Sequence, residues 1–281
     1  MCITVNHAEL SGTKILSIRL ENGNHFMSYS NKAKNKSGKP NAMILPIPGE
    51  TNPSLFHNTE EYKDYMGEIV MKSGLSENYM GILSRGFRFK EMDYLSFDEF
   101  QLGMYTVGLA EDFGGVRDFL DSLPEDKRPE ISEELKNFFQ EKYEGWSFAV
   151  CVFDSDKSID AQPIAFEYKP FGYNLVYFPT MDGHDGKAPR LGSMVKVDHT
   201  FIYEHTGNMT REYIQQFVEL TQNKVPDFLN KRKYRHIVSS GYGLNGDTFL
   251  DMDKLSQQDF EQDAELKRIE PVPYKKEPIS E

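Results

Sequence analysis

Along the first twenty residues, Met1 to Leu20, apolar and polar side chains alternate. Residues 2–9, 13–20 and 24–30 therefore read as short strands, since side chains two apart on a strand share a face. The breaks fall at Ser11-Gly12 and Glu21-Asn22-Gly23. Asn-Gly after an apolar run favours the tight hairpin turn that needs positive φ, so a β-meander is predicted here. Asn31 to Pro40 carries four lysines and nothing apolar larger than Ala, and reads as a solvated loop. Ala42 to Pro48 is a strand closed by prolines, and Gln101–Leu109 alternates like another.

The spacing then changes. Ile131, Leu135, Phe138 and Phe139 lie on one face of a 3.6-residue period, with Pro129 and acidic residues at the entry, predicting a helix over 130–142. The polar stretch Asp121–Arg128 before it is the place for an internal boundary, near 121–130. Trp146 to Phe153 is apolar on both faces, as suits a central strand covered on each side. Strands follow at about 162–168, 174–179 and 193–205. Thr210 then caps a helix that places Ile214, Phe217, Val218 and Val225 on one side and stops at Pro226. A strand at 233–239, a short helix at 254–265 and a tail over 268–281 complete the chain. Strands in runs, without strict β-α-β alternation, predict an α+β class. Mainly antiparallel sheets would be covered by helices, as in an αββα-type sandwich, within one domain spanning residues 1–267.

Composition narrows the partners. The 281 residues include 32 Lys+Arg against 44 Asp+Glu, a formal charge of −12. Such a field repels nucleic acid, whose binding rests on neutralising phosphates. The lysines of 32–39 form a basic run without interleaved aromatics, so they do not alter this. No stretch has the length or apolarity of a membrane span or a signal-peptide core, so a soluble, cytoplasmic protein is expected. Two cysteines, Cys2 and Cys151, build no disulfide framework.

Cys2 is the first candidate for chemistry. If Met1 is removed, the thiol and the α-amine sit on one residue, with ordinary pKa values of about 8.5 and 7.7–8.0. The amine can then serve as base for the sulfur nucleophile. Cys2 on a first strand, followed by a hairpin and a strand at Ala42–Pro46, resembles the N-terminal nucleophile hydrolases, particularly the choloylglycine hydrolase and penicillin V acylase group. The resemblance covers about the first 48 residues. Those enzymes carry Gly-Arg-Asn-x-Asp after the second strand, where this chain has Ser28-Tyr29-Ser30-Asn31. The resemblance implies attack by Cys2 on a small-molecule amide, with Asn31 standing in for the family's Asn and Arg19 on the preceding strand. Such an enzyme needs no cofactor.

A second candidate is a His/Asp cluster. Thr180-Met181-Asp182-Gly183-His184-Asp185-Gly186 is a loop, and Asp198-His199 follows on a strand. Imidazole with carboxylate suits a divalent metal. Strand geometry turns Asp198 away from His199 and puts His205 roughly 20 Å further along, leaving Asp182, His184 and His199 as the largest possible set. Gly241-Tyr242-Gly243-Leu244-Asn245-Gly246 matches a dinucleotide-binding pattern, but no helix follows at once and Asp247 stands where a pyrophosphate would bind, so it reads as a turn. Three readings follow: an amide hydrolase at Cys2; alternatively a non-enzymatic protein with a macromolecular partner; and third, a metal-dependent enzyme centred on His184.

Overall fold

The computed structural model describes residues 2–59, 62–73, 99–102, 104–171, 175–204, 229, 232, 234–251 and 267–269. Sixteen strands and three α-helices are assigned among them, in the α+β class that the sequence predicts. The predicted helices at 210–226 and 254–265 lie outside the described residues.

Sheet one is antiparallel throughout. It runs in the order β1 (Ile3–Thr4), β4 (Asn41–Ile47), β9 (Ser147–Phe153), β8 (Tyr105–Ala110), β7 (Glu99–Leu102). The predicted central strand is β9: every residue in it is buried and it is paired on both sides. The single strand expected at 101–109 is instead a hairpin of β7 and β8, with Leu102 opposite Tyr105. In sequence the alternation runs on from Leu102 to Val107, so periodicity alone cannot reveal two strands.

Sheet two carries β14 (Tyr234–Leu244), β13 (Met194–Glu204), β2 (Ala8–Arg19), β3 (His25–Asn35), β11 (Ile164–Pro170) and β5 (Gly49–Glu50) in that order. Short strands β6 (Phe56–His57) and β10 (Ile159–Asp160) add to β11 and β3. Among the described strands only β13 and β2 pair in parallel. The sequence places a strand break at Ser11-Gly12, and the structure corrects this: β2 runs from Ala8 to Arg19. Gly12 takes φ 60°, the register shifts between Ser11 and Lys14, and β2 runs on through the bulge. The predicted loop at 31–40 is likewise strand as far as Asn35, because Lys32 and Ala33 pair with Ser11 and Leu10 on one side and with β10 on the other. β12 (Leu175–Phe178), β15 (Asp247–Asp251) and β16 (Lys267–Ile269) form a third sheet, so the first residues of the expected tail are paired backbone.

Side-chain parity sets the layers. On β9, Phe148 packs against Phe113, Phe139 and Tyr143, which belong to α2 (Phe113–Ser122), α3 (Glu133–Lys142) and the end of α3. Residues of opposite parity face sheet two: Phe153 meets Tyr105, whose hydroxyl donates to Asn31 Oδ1 on β3. Sheet two turns its other face to α1 (Tyr65–Ser73), where Leu16, Ile18, Phe26 and Ile202 pack with Tyr65, Met66 and Ile69. The order is therefore helices, sheet one, sheet two, helix. Ser132 begins α3, its Oγ accepting from Leu135 N, and the polar stretch 121–128 joins two helices packed on the same sheet. No helix among the described residues is long and apolar enough to cross a membrane.

Candidate functional site

Cys2 immediately precedes β1 and lies between the two sheets, 2% exposed. Burial pushes its thiol up to about 12, and the neighbouring Tyr29 hydroxyl offsets only part of that. Burial raises Cys151 too, and each thiol disfavours charge on its neighbours. At neutral pH Cys2 is held as the thiol, the opposite of an activated nucleophile. The surroundings are apolar and aromatic: Ile3, Met43, Tyr29, Tyr105 and Cys151 share its cluster.

The residues grouped with Cys2 by the hydrolase resemblance part company. Asn31 lies in this inter-sheet layer, accepting from Tyr105 and approaching Met43 Sδ with Nδ2 at 3.6 Å. Arg19 is at the far end of β2, opposite His25. His25 stands six residues before Asn31 on β3, roughly 20 Å along the strand, so Arg19 cannot act on a group held by Asn31. The backbone carbonyl of Arg19 accepts from Arg232, which also pairs with Glu204 at 2.6 Å.

The Asp182–Gly186 loop ties the N-terminal strand down. Thr4 N donates to Gly183 O, Gly183 N to Cys2 O, and Ala8 N to His184 O. His184 Nε2 lies 3.3 Å from Asp182 Oδ1 but forms no hydrogen bond. Burial lowers His184 to about 3, so the ring is neutral at pH 7 and the contact is no ion pair there. His199 is 1% exposed on β13 and stacks on Phe201, with ring centroids 5.7 Å apart. Among the described residues no group of three or more His, Cys, Asp or Glu side chains is placed to hold a metal ion. Asp182 and His184 therefore meet, and His199 does not join them. The loop serves as a backbone clamp on β1.

The glycine pattern at 241–246 is strand and turn. Gly241 to Leu244 continue β14, and Asn245-Gly246 leads into β15. Asp247 is fully buried, accepting from the Tyr143 hydroxyl at 2.7 Å and from the backbone of Thr180 and Met181 at 3.0 and 3.1 Å. An open cleft of about 830 Å³ is lined by Glu50, Glu111, Asp112 and Glu144 with Lys169 and Phe171, and none of the predicted site residues borders it.

A feature that the sequence reading passed over lies on sheet two. β13 and β14 pair over eleven positions, placing Met194 beside Leu244, Lys196 beside Tyr242, Asp198 beside Ser240 and Thr200 beside Val238 on one face. α1 covers one end of that face, where Ser73 Oγ lies 2.7 Å from His236 Nδ1. Beyond it Met194, Val238, Tyr242 and Leu244 are 62%, 60%, 76% and 56% exposed. The signal was present in Ile237-Val238 and Tyr242 to Leu244, but only pairing shows that Val238, Tyr242 and Leu244 project together from the last strand of a sheet. A basic run, Lys231-Arg232-Lys233-Tyr234-Arg235, leads into the same strand.

No family model matches the chain and no curated protein matches it. Among solved structures it is similar to baculovirus P35, with 17% identity over 90% of this chain and 92% of that one and a TM-score of 0.44. It is also similar to a chain of the caspase-8/P35 complex, with 19% identity, 75% and 68% coverage and a TM-score of 0.37. A mutated baculovirus P35 after caspase cleavage gives 16%, 74%, 70% and 0.40.

Proposed function

We propose that this protein acts by binding another protein and not by catalysis. The observation that carries the reading is the apolar strip of Met194, Val238, Tyr242 and Leu244, four large side chains more than half exposed and gathered on one face. Single exposed apolar residues are ordinary, whereas four gathered on one face leave apolar side-chain area exposed that a partner would cover. The Cys2 environment supports the same choice. A thiol sealed between sheets and shifted to about 12 offers a substrate neither access nor a nucleophile.

The test is covalent capture from a cell extract with a bifunctional crosslinker, using the whole chain as bait. The binding reading expects one defined set of proteins retained by the wild type and by Cys2→Ser, and lost from the Tyr242→Ser/Leu244→Ser variant. Capture of nothing by the wild type, or loss with Cys2→Ser alone, overturns it.

A further inference from the structure

We infer that the edge of β14 between Arg235 and Gly243 receives an extended segment of another protein as an added strand, one with apolar side chains at alternate positions and carboxylates where it passes Arg235. The inference rests on the binding reading above and specifies its mode and the chemistry of its partner.

The geometry provides the template. Among the described strands β14 is the end strand of sheet two; it stays in unbroken register with β13 over eleven residues, and the template is its stretch from Arg235 to Gly243. Proteins usually blunt such an edge with charge, proline or a bulge that shifts register. Between Val238 and Leu244 this strand has no charged residue and no proline. Gly241, at φ 101°, is its one irregular residue, and an added Cβ there would meet nothing within 4 Å. Main-chain hydrogen bonds to such an edge supply affinity, and alternate side chains supply selectivity. Val238 and Tyr242 are the exposed apolar positions that an incoming strand would flank.

Charge identifies the occupant. In a chain with 44 acidic residues, the sixteen positions from Lys231 to Gly246 hold no carboxylate and four of the basic residues. Arg232 is already paired with Glu204, whereas Arg235 makes no ion pair among the described residues. Across the ladder Asp198 is engaged by Gly12 N at 2.7 Å. A second copy of β14 would bring no carboxylate to Arg235 and would set one charge of −12 against another. An antiparallel guest with an acidic C-terminal end satisfies both conditions, because its C-terminus falls beside the start of β14.

A fluorescein-labelled peptide of sequence SVTVSVEDE, compared with SVTVSVKKK, tests this by anisotropy against the full chain, with hydrogen–deuterium exchange as the positional readout. The acidic peptide is expected to bind at least about tenfold more tightly than the basic one, and more weakly in about 0.5 M salt. It should slow exchange in residues 237–243. Arg235→Glu should reverse the preference between the two peptides, and Val238→Lys/Tyr242→Lys should abolish binding while leaving the unfolding temperature of the free protein unchanged within a few degrees. No binding at about 1 mM peptide, equal binding of both, protection confined to other strands, or a concentration-dependent dimer lost with Val238→Lys each overturns the inference. If the crosslinking capture persists while the peptide fails, the added strand alone is rejected. If capture fails as well, the binding reading falls with it.

Discussion

Two thiols, one buried histidine and one buried carboxylate show how far packing shifts single side chains. With Cys2 pushed up to about 12 and Cys151 also raised by desolvation, neither thiol should react with an aromatic disulfide reagent in the native protein. Titration is expected to give no equivalents under native conditions and two in denaturant; rapid release of one equivalent before unfolding would place Cys2 at the surface. His25 is buried against Tyr168, 5.4 Å between ring centroids, and burial lowers it from 6.5 to about 4. The unfolded chain binds this proton from about pH 6.5 and the folded one only near 4. Stability held above pH 6.5 is therefore lost as pH falls through that window, by on the order of 3 kcal/mol from His25 alone. Asp247 acts in the other direction: burial raises it, so its contribution is present at acid pH and lost as pH rises through its folded value. Urea unfolding between pH 7 and 4.5 should show a net loss, flattened in His25→Phe, which keeps a ring against Tyr168. An unchanged slope in that variant would mean that the imidazole is not the titrating group.

At the scale of elements, local signals and pairing divide the credit. The helix at 130–142 was legible because its apolar stripe and its entry are both written locally, and Ser132→Ala should cost about 1 kcal/mol by removing the hydroxyl that accepts from Leu135 N. The same hydroxyl donates to Gly186 O, so thermal unfolding of this variant should also report on the clamp loop. α1 and α2 went unread, α2 because Gly114-Gly115 interrupts its first turn although Asp112 caps it by accepting from Gly115 N. Gly108 marks another relation that is invisible in sequence. A Cβ there would stand 2.6 Å from the ring of Phe119 on α2, so Gly108→Ala is expected to destabilise by about 1–3 kcal/mol, with partial recovery in the double variant with Phe119→Ala. Additive losses in that cycle would exclude the contact as the cause. The candidate residues fared as their elements did. Cys2 and Asn31 share a layer because β1 and β3 face each other across the sheets, while Arg19 was separated by register, which no spacing in the sequence encodes.

For the molecule as a whole, charge and connectivity matter most. A net charge of −12 repels itself in the folded state, and salt screens it, so the unfolding temperature should rise by a few degrees between about 0.05 and 0.5 M sodium chloride. A flat response would show that the carboxylates are locally compensated. The parallel seam between β2 and β13 has a further consequence. It joins positions as far apart as Gly12 and Asp198, separated by 186 residues. At roughly 5–20 residues per second on the ribosome, that flank of β2 waits on the order of ten to forty seconds for its neighbour to emerge. Throughout that interval the nascent hairpin carries a raw margin of unanswered peptide groups, and a ribosome stalled short of β13 would release it in that state.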